Sequence, residues 1–475
     1  MDPADFRRHG HELVDWIAEY LEHPEKYPVL ARVKPGDISR ALPGEAPEDP
    51  ESFGAIMADF ERVLVPGLTH WNHPGFLAYF AITASAPGVL AEFLSAALNQ
   101  QAMLWRTSPA ATELEEVALG WLRSLIGLPP AFEGVIYDTA SIATMHALIA
   151  AREAALPSAR SMGLAGRDGV PRLRVYTSQQ ANLSIDKGMI AIGLGLDSLR
   201  KIPVDDEFRM RVDALERAVA EDRAAGILPI AVMPTVGTTV TTSIDPVPAV
   251  ADLCEREGLW LHVDAAYGGV AAMLPSHAHV LAGADRADSL VVNPHKWLFT
   301  PFDLSAFFCR RMDVVRAAFT LTPDYLHPEP GEIKNLMDTG VQLGRRFRAL
   351  KLWMILRSFG ARGIRAHLGR HIALAQQLAG WVDAHPDFER LAPVPLSVVC
   401  FRWKPATRSL TEAELDAANG RLVDEVNRTG DVFVSTARVA GHVAIRIAIG
   451  HLRTTEVHVR RAWDLIRNCQ PQTSS

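Results

Sequence analysis

The amino-acid sequence predicts an α/β fold built on a mostly parallel sheet of about seven strands. Between residues 85 and 310, short runs of apolar residues alternate with helical segments, and continuous apolar character is typical of strands buried on both faces. The predicted strands are residues 135–137, 173–177, 199–203, 230–235, 259–264, 289–292 and 306–309. Helices are predicted between them at residues 142–155, 183–192, 212–225 and 247–257. Such sheets bind ligands at the carboxyl ends of their strands, so we expect functional residues in the loops that follow them.

The N-terminal segment predicts a helix that lies outside this alternating pattern. Asp2 is suited to cap the helix and Pro3 to begin it. The apolar positions of this helix form a stripe at Phe6, Leu13, Ile17 and Leu21. Because residues 26–66 have few regularly spaced apolar positions, we expect the stripe to pack on a second subunit.

The C-terminal third of the chain predicts a smaller α+β unit. A long helix is expected from about residue 344 to residue 379. The strands expected after it are residues 396–403, 432–435 and 443–449, with helices at residues 411–428 and 455–467.

Composition and charge exclude several classes of protein. Of the 475 residues, 48% are hydrophobic and 22% are charged, which excludes a disordered chain, a collagen-like repeat and a coiled-coil rod. The formal net charge of −7 disfavours a nucleic-acid or membrane-surface partner. The most apolar region, residues 227–240, is interrupted by Pro229 and Pro234 and is too short to cross a bilayer. We therefore expect a small-molecule partner.

The cysteines and the N-terminus predict a cytoplasmic protein without a metal site. The four cysteines are widely separated and none forms a C-x-x-C pair, so neither a zinc site nor a disulfide framework is indicated. The N-terminus is acidic where an export signal would be basic.

Two strand ends carry residues suited to pyridoxal 5′-phosphate (PLP). Asp264 ends the apolar run 259–264, and Lys296 follows the next run after 32 residues, which leaves room for one crossover helix. A lysine amine can form a Schiff base with PLP, and a carboxylate can keep the pyridinium nitrogen protonated. The alternative for these two residues alone is a buried structural ion pair.

Two hydroxyl-rich turns add to this interpretation. Residues 138–141, Asp-Thr-Ala-Ser, follow a strand and open a helix, where free N–H groups and the helix dipole suit a phosphate. Residues 237–242, Gly-Thr-Thr-Val-Thr-Thr, follow another strand. Taken singly, the first is an ordinary helix cap and the second a β-favouring threonine run. Four strand ends that each suit one part of the same cofactor favour a PLP site.

Further segments along the chain carry a family resemblance. They are His-Trp-Asn-His-Pro at 70–74, Ala-Tyr-Phe at 78–80, Ser-Pro-Ala at 108–110, Thr-Glu-Leu-Glu at 112–115, Asn-Pro-His-Lys-Trp at 293–297 and Leu-Gly-Arg-Arg-Phe-Arg at 343–348. With these motifs the chain resembles the group II PLP-dependent decarboxylases, most closely the aromatic-L-amino-acid decarboxylases. The resemblance implies fold type I of the PLP-dependent enzymes and a homodimer with its active site at the interface. It also implies an N-terminal arm (1–84), a large PLP-binding domain (85–370) and a small C-terminal domain (371–475).

The resemblance implies a role for individual residues. Lys296 would bind PLP, Asp264 would pair with the ring nitrogen, Ala266 would lie against one ring face and Thr239 near the ring hydroxyl. The residues implied for the phosphate are Ala140, Ser141, Ser289, Asn293 and His295, with Leu343 and Gly344 arriving from the other subunit. His295 is also implied among the catalytic residues.

The resemblance further implies an aromatic substrate pocket. Its residues would be Trp71, Tyr79, Phe80 and Ile82, with Gln101 and Met103 contributed across the interface. Ala81 and Ile82 replace the Pro-Thr pair that is frequent in the family, which removes a hydroxyl that could bond a catechol. We therefore expect phenylalanine or tryptophan to be at least as suitable as dopa.

Two residues favour different products. In the family, the residue matching Tyr325 protonates the substrate's α-carbon after CO2 leaves, giving an arylalkylamine. Asn182 stands where the family normally has a histidine, and an amide does not titrate near neutral pH. In insect relatives, asparagine here accompanies an aromatic acetaldehyde synthase reaction, in which O2 is consumed and aldehyde, ammonia, CO2 and hydrogen peroxide are formed. The sequence thus implies a decarboxylase of phenylalanine, tryptophan, tyrosine or dopa, with the aldehyde synthase as alternative. A catalytically inactive binding protein is disfavoured because Lys296 and Asp264 are both present.

Overall fold

The computed structural model describes residues 1–321 and 333–469. In the part of the chain that it describes, the large sheet has seven strands: β1 (Glu133–Tyr137), β2 (Leu173–Ser178), β3 (Leu199–Ile202), β4 (Leu228–Met233), β5 (Trp260–Asp264), β6 (Ser289–Val292) and β7 (Ser305–Cys309). Their order is β1-β7-β6-β5-β4-β2-β3, and β7 runs antiparallel to both of its neighbours while the other pairs are parallel. The predicted fold class, a mostly parallel seven-stranded sheet, is confirmed.

Helices precede and separate these strands. Those within residues 1–321 are α1 (Pro3–Glu22), α2 (Asp37–Ala41), α3 (Phe53–Asp59), α4 (Ala86–Leu98), α5 (Pro109–Leu125), α6 (Ala140–Ala155), α7 (Ala159–Met162), α8 (Ser184–Ala191), α9 (Val212–Ala224), α10 (Val247–Glu257), α11 (Pro294–Trp297) and α12 (Met312–Phe319). In β6, Leu290 and Val292 pack into the core under α9 and α10, whereas Val291 packs into the core under α6 and α8. Alternate side chains therefore enter opposite layers, which explains the continuous apolar runs.

Helix α1 begins as the sequence predicts. The Asp2 carboxylate accepts hydrogen bonds from the backbone N–H groups of Ala4 and Asp5, both at 2.8 Å, and Pro3 is the first helical residue. Helix α1 lies entirely within the described residues and has no buried residue, and the surface of Phe6 is 57% exposed. The packing of the apolar stripe on a second subunit stays a prediction.

The C-terminal unit contains an antiparallel sheet with order β10-β11-β9-β8, formed by β8 (Phe388–Arg390), β9 (Val398–Trp403), β10 (Ser435–Val439) and β11 (His442–Ala448). Its helices are α13 (Ala349–Asp383), α14 (Glu412–Arg428) and α15 (Glu456–Asn468). Thr411 caps α14 in a reciprocal capping box with Glu414. The predicted smaller α+β unit is therefore present.

Two predicted elements differ from the structure. The long helix begins at Ala349 instead of residue 344, and it is interrupted at Gly360, whose φ of 61° lies in the left-handed region. The strand predicted at residues 432–435 begins at Ser435. Its first residues pair elsewhere, since the Phe433 N–H donates to Gly75 O and the Leu77 N–H donates to Phe433 O, both at 2.9 Å.

Across residues 1–321 and 333–469, we find no helix with the length and apolar character that a membrane span requires.

Candidate active site

Asp264 and Lys296 lie at one cavity, as their strand-end positions predict. Asp264 ends β5, and Lys296 lies in α11, directly after the neighbouring parallel strand β6. Burial raises the pKa of Asp264 and lowers the pKa of Lys296, and the charge of each group opposes the shift of the other. Among the described residues no direct ion pair joins them, and both residues line the same cavity.

The cavity has a volume of about 180 Å³ and lies where several strands of the large sheet end. The predicted site residues that line it are Phe80, Ala140, Ser141, Asn182, Thr239, Asp264, Ala266, Asn293, His295 and Lys296. They come from the segments that follow β1, β2, β4, β5 and β6, together with Phe80 from the N-terminal region. The structure thus brings together most of the residues proposed for the cofactor, although they are spread over residues 80–296 of the chain.

One end of the cavity is suited to a phosphate. Ala140 and Ser141 begin α6, where backbone N–H groups and the positive end of the helix dipole are available. The Leu304 N–H donates to His295 Nδ1 at 3.0 Å, and this contact assigns the ring proton to Nε2. Burial lowers the pKa of His295 to about 3, so the ring is neutral at pH 7. The Ser305 hydroxyl donates to Asn293 Oδ1 at 2.7 Å, which leaves the Asn293 amide as a donor.

Asn182 forms one side of the cavity mouth. Its Nδ2 donates to the Thr239 hydroxyl at 3.1 Å, and its Oδ1 accepts a hydrogen bond from the Ser184 N–H at 2.9 Å. The first of these bonds joins the loop after β2 to the loop after β4. The Asn182 side chain is therefore fixed by hydrogen bonds, and its amide does not titrate near neutral pH.

An aromatic column forms another wall of the cavity. The Phe80 ring stacks on Tyr267 with the ring centroids 3.7 Å apart, and Tyr267 stacks on Trp297 at 4.8 Å. The Lys296 Nζ lies 5.3 Å from the Phe80 centroid. Tyr267 was not among the predicted site residues, although it follows Asp264 by three positions in the sequence.

The other residues predicted for the substrate pocket do not line this cavity. Trp71 stacks on Phe76 with the centroids 4.2 Å apart, and Tyr79 is exposed, with its ring 5.8 Å from Phe433. Ile82 is partly buried next to this segment. Tyr325 lies outside the described residues.

The structure does not place Ser289 with the other predicted cofactor residues. Its hydroxyl accepts a hydrogen bond from Trp260 Nε1 at 2.9 Å and lies 2.8 Å from His262 Nδ1. Ser289 begins β6, at the opposite end of that strand from Lys296. This serine contacts neighbouring side chains inside the sheet, and its predicted role at the phosphate stays a prediction.

The residues predicted to reach a second subunit form a separate group outside this cavity. Gln101 Oε1 accepts a hydrogen bond from the Arg345 N–H at 2.7 Å, which places the segment of Gln101 and Met103 beside that of Leu343 and Gly344. Leu343 is 64% exposed. Their contribution to the site of a partner subunit stays a prediction.

Arg446 is a site-forming residue that sequence reasoning missed. This arginine of β11 is 4% exposed and donates to the backbone carbonyls of Tyr79 (2.6 Å), Thr239 (2.8 Å) and Val240 (3.0 Å). Its guanidinium carbon lies 4.9 Å from the Phe80 centroid. The available signal was a single charge within the apolar run 443–449.

Comparisons with known proteins agree with this geometry. A model of the pyridoxal-dependent decarboxylase conserved domain matches residues 35–404. An aromatic-L-amino-acid decarboxylase of Catharanthus roseus is 37% identical over 98% of this chain and 94% of its own length. A phenylacetaldehyde synthase of Arabidopsis thaliana is 36% identical over 98% of this chain and 96% of its own length. A crystal structure of Oryza sativa TDC with PLP and tryptamine is similar with a TM-score of 0.95 and 36% identity, covering 99% of this chain and 98% of the other.

Proposed function

This chain belongs to the pyridoxal-dependent decarboxylase family, and we propose that it converts aromatic L-amino acids into arylalkylamines and CO2, with PLP as its cofactor. The family resemblance predicted from the sequence is thereby confirmed. The observation that carries the proposal is the meeting of Asp264 and Lys296 in one cavity with a phosphate-binding end and an aromatic wall.

The described residues fit PLP. Asp264 is a carboxylate whose pKa is raised by burial, and a protonated ring nitrogen would supply it with a directly paired cation. Lys296 would hold the cofactor's aldehyde carbon, while Ala140, Ser141, Asn293 and neutral His295 would donate to its phosphate. When bound, PLP supplies an electron sink for the bond that breaks at the substrate's α-carbon.

The protein's own groups would prepare this chemistry in two ways. Burial lowers the pKa of Lys296, which favours the unprotonated, nucleophilic form of the amine. The negative charge of the Asp264 carboxylate would favour a proton on the ring nitrogen. The position of this residue is fixed because its backbone is paired with segments on both sides. The Ala266 N–H donates to Asp264 Oδ1 at 3.1 Å and further fixes the carboxylate.

We infer that the substrate ring lies towards Phe80 and that Arg446 orients this wall. The Arg446 guanidinium holds the Tyr79 carbonyl, directly before Phe80, and the Thr239 carbonyl. Ala81 is buried and Ile82 is partly buried, and neither carries a hydroxyl for a catechol. This supports phenylalanine, tryptophan or tyrosine as substrates beside dopa.

We further infer a cytoplasmic homodimer. Exposed apolar side chains on α1 and α4 support a second subunit, since patches of this kind mark interfaces. They are Phe6, Val14, Leu90, Phe93, Leu94 and Leu98. Light scattering or sedimentation should give twice the mass of the chain.

A second candidate function rests on Asn182. Aromatic acetaldehyde synthesis consumes the amino acid, O2 and water and releases aldehyde, CO2, ammonia and hydrogen peroxide. The non-titrating Asn182 at the cavity mouth and the similarity to a phenylacetaldehyde synthase support this alternative.

A product assay separates the two functions. The PLP-loaded protein is incubated in air with phenylalanine, tryptophan, tyrosine or dopa, and CO2, amine, aldehyde, ammonia and peroxide are quantified. We expect amine equal to CO2 and no peroxide. Peroxide and aldehyde equal to CO2 would establish the alternative, and no CO2 from any substrate would contradict both.

Two pairs of variants sharpen this assay. Lys296→Ala should abolish CO2 release and the borohydride-sensitive visible absorbance, whereas Lys201→Ala, which removes a lysine paired with Asp186, should preserve both. If peroxide is formed, Asn182→His should lower the ratio of peroxide to CO2. Gln180→His places the same ring two residues away and should leave that ratio unchanged.

A further inference from the structure

We propose that Asp245 is a positioning residue of the cofactor site, whose carboxylate aligns the loops after β3 and β4 with the end of β5 that carries Asp264. The inference deepens the proposed cofactor site and rests on it.

The Asp245 carboxylate connects two loops that are distant in sequence. It is 1% exposed; Oδ2 accepts a hydrogen bond from the Thr235 N–H at 2.8 Å and Oδ1 accepts one from the Met210 N–H at 2.7 Å. Within the described residues it has no ion-pair partner, and burial raises its pKa to about 6. Burying a carboxylate without a cation is costly, and here both of its oxygens are used to hold backbone N–H groups of two different loops.

The first loop leads directly to the backbone of Asp264. Thr235 pairs with Asp264 in a parallel bridge, the Asp264 N–H donates to Pro234 O at 3.0 Å, and the Val236 N–H donates to Asp264 O at 2.8 Å. On its other side, Thr235 is held by Asp245 through both the carboxylate and the Asp245 N–H, which donates to Thr235 O at 3.0 Å. Thr235 is thus the link between the two aspartates, and it also lines the cofactor cavity.

Hydrogen bonds next to Asp245 also bring together the two ends of the loop that carries Thr239. The N–H groups of Gly237 and Thr238 both donate to Ser243 O at 3.0 Å, so the loop begins and ends beside Asp245. The Ser243 hydroxyl donates to Glu207 O at 2.8 Å, which joins this loop to residues 205–210 after β3. None of the residues 205–210 lines the cofactor cavity, and Asp245 and Ser243 connect them to it through hydrogen bonds. Phe208 adds an apolar connection, since it shares a buried cluster with Phe80 and Val240.

Asp245→Asn tests the proposal because an amide keeps the shape of the carboxylate but offers one acceptor oxygen to two N–H donors. Asp288→Asn is the matched control: Asp288 is also buried, and its Oδ2 accepts a hydrogen bond from the Leu261 N–H at 2.9 Å near the opposite end of β5. PLP is titrated into the PLP-free form of each protein by visible absorbance, and the unfolding temperature of each PLP-free form is recorded.

We expect Asp245→Asn to raise the Kd for PLP by roughly tenfold or more, the equivalent of one charge-assisted hydrogen bond, and to shift the absorbance maximum. Asp288→Asn should bind PLP as the wild type does, even if its unfolding temperature falls. An unchanged Kd and spectrum for Asp245→Asn, or equal losses in both variants, would overturn the proposal. Failure of the wild type to bind PLP would instead refute the cofactor site itself.

A measurement on the wild-type protein covers the case in which Asp245→Asn does not fold. Removal of PLP should increase amide hydrogen exchange in residues 205–211 as well as in residues 235–245, because Asp245 couples the two loops. Exchange that changes in residues 235–245 alone would overturn the coupling.

Discussion

Replacing Arg446 by methionine should weaken both the substrate site and the contact between the two sheets. The guanidinium donates to three backbone carbonyls, those of Tyr79, Thr239 and Val240. Methionine retains much of the side-chain volume but cannot donate, so all three carbonyls lose this partner in a buried place. Arg446→Lys keeps the charge but cannot reproduce the planar arrangement of donors, so it should give an intermediate result.

The magnitude follows from these contacts. Hydrogen bonds from a charged donor contribute about 1.5 kcal/mol each at the lower end of their range, so three of them together contribute about 4 to 5 kcal/mol before the cost of burial is subtracted. Relief from burying the guanidinium charge offsets part of this loss, and we expect the free energy of unfolding to fall by about 3 kcal/mol. Because the Tyr79 carbonyl adjoins Phe80, we also expect KM for the aromatic substrate to rise more than kcat falls.

Urea unfolding and steady-state kinetics on the PLP-loaded protein measure these effects. Arg438→Met is the matched control, since Arg438 lies on the adjacent strand β10 and its side chain is exposed. The reasoning is refuted if Arg446→Met and Arg438→Met differ by less than about 0.5 kcal/mol, the usual range for surface substitutions, and have the same KM.

Three further predictions concern buried polar groups. Burial lowers the pKa of four histidines to about 3: His146, His262, His371 and His451. Below about pH 6.5 the unfolded chain therefore binds protons that the folded chain does not, and the free energy of unfolding in urea should fall from pH 7 to pH 5 by at most about 2 kcal/mol per histidine. A constant value over this pH range would contradict the assignment. Ser305→Ala removes the hydroxyl that orients the Asn293 amide, so the Kd for PLP should rise about fivefold in an absorbance titration. An unchanged Kd would exclude this orienting role. Ser289→Ala should leave the Kd for PLP unchanged but lower the free energy of unfolding by about 1 to 2 kcal/mol, because Trp260 and His262 lose their hydrogen-bond partner. A weaker affinity for PLP without a loss of stability would instead support the phosphate role predicted from the sequence.

Elements dominated by local patterns could be predicted closely from the sequence. The bounds of β6 and α10 agree with the predicted residues 289–292 and 247–257. The errors occur where a segment pairs with a distant part of the chain. Phe433 pairs with the N-terminal segment instead of extending β10. Helix α13 starts late because the segment before it is held by Arg345, which binds Glu115 and the Ile136 carbonyl.

The candidate site divides in the same way. Asp264, Lys296 and the start of α6 could be found because functional residues of parallel sheets follow strand ends, and strand ends are visible in hydrophobic patterns. Ser289 lies apart from the cavity because it begins β6, whereas Lys296 follows the end of that strand. The positions of Trp71, Tyr79 and Ile82 relative to the cavity depend on how the N-terminal segment folds over the sheet, which no local pattern records.

The sequence by itself determined the fold class, the family and the pair Asp264 and Lys296, since each depends on short-range patterns or on residue identity. Only the tertiary structure decided which polar groups support that pair. Arg446 reaches the Tyr79 carbonyl across 367 positions of sequence, and Asp245 reaches the Met210 N–H across 35. Such contacts form between chain segments that meet only after the sheet and its covering layers have packed. These residues are therefore placed by the need to satisfy hydrogen bonds in the folded core, which no local propensity encodes.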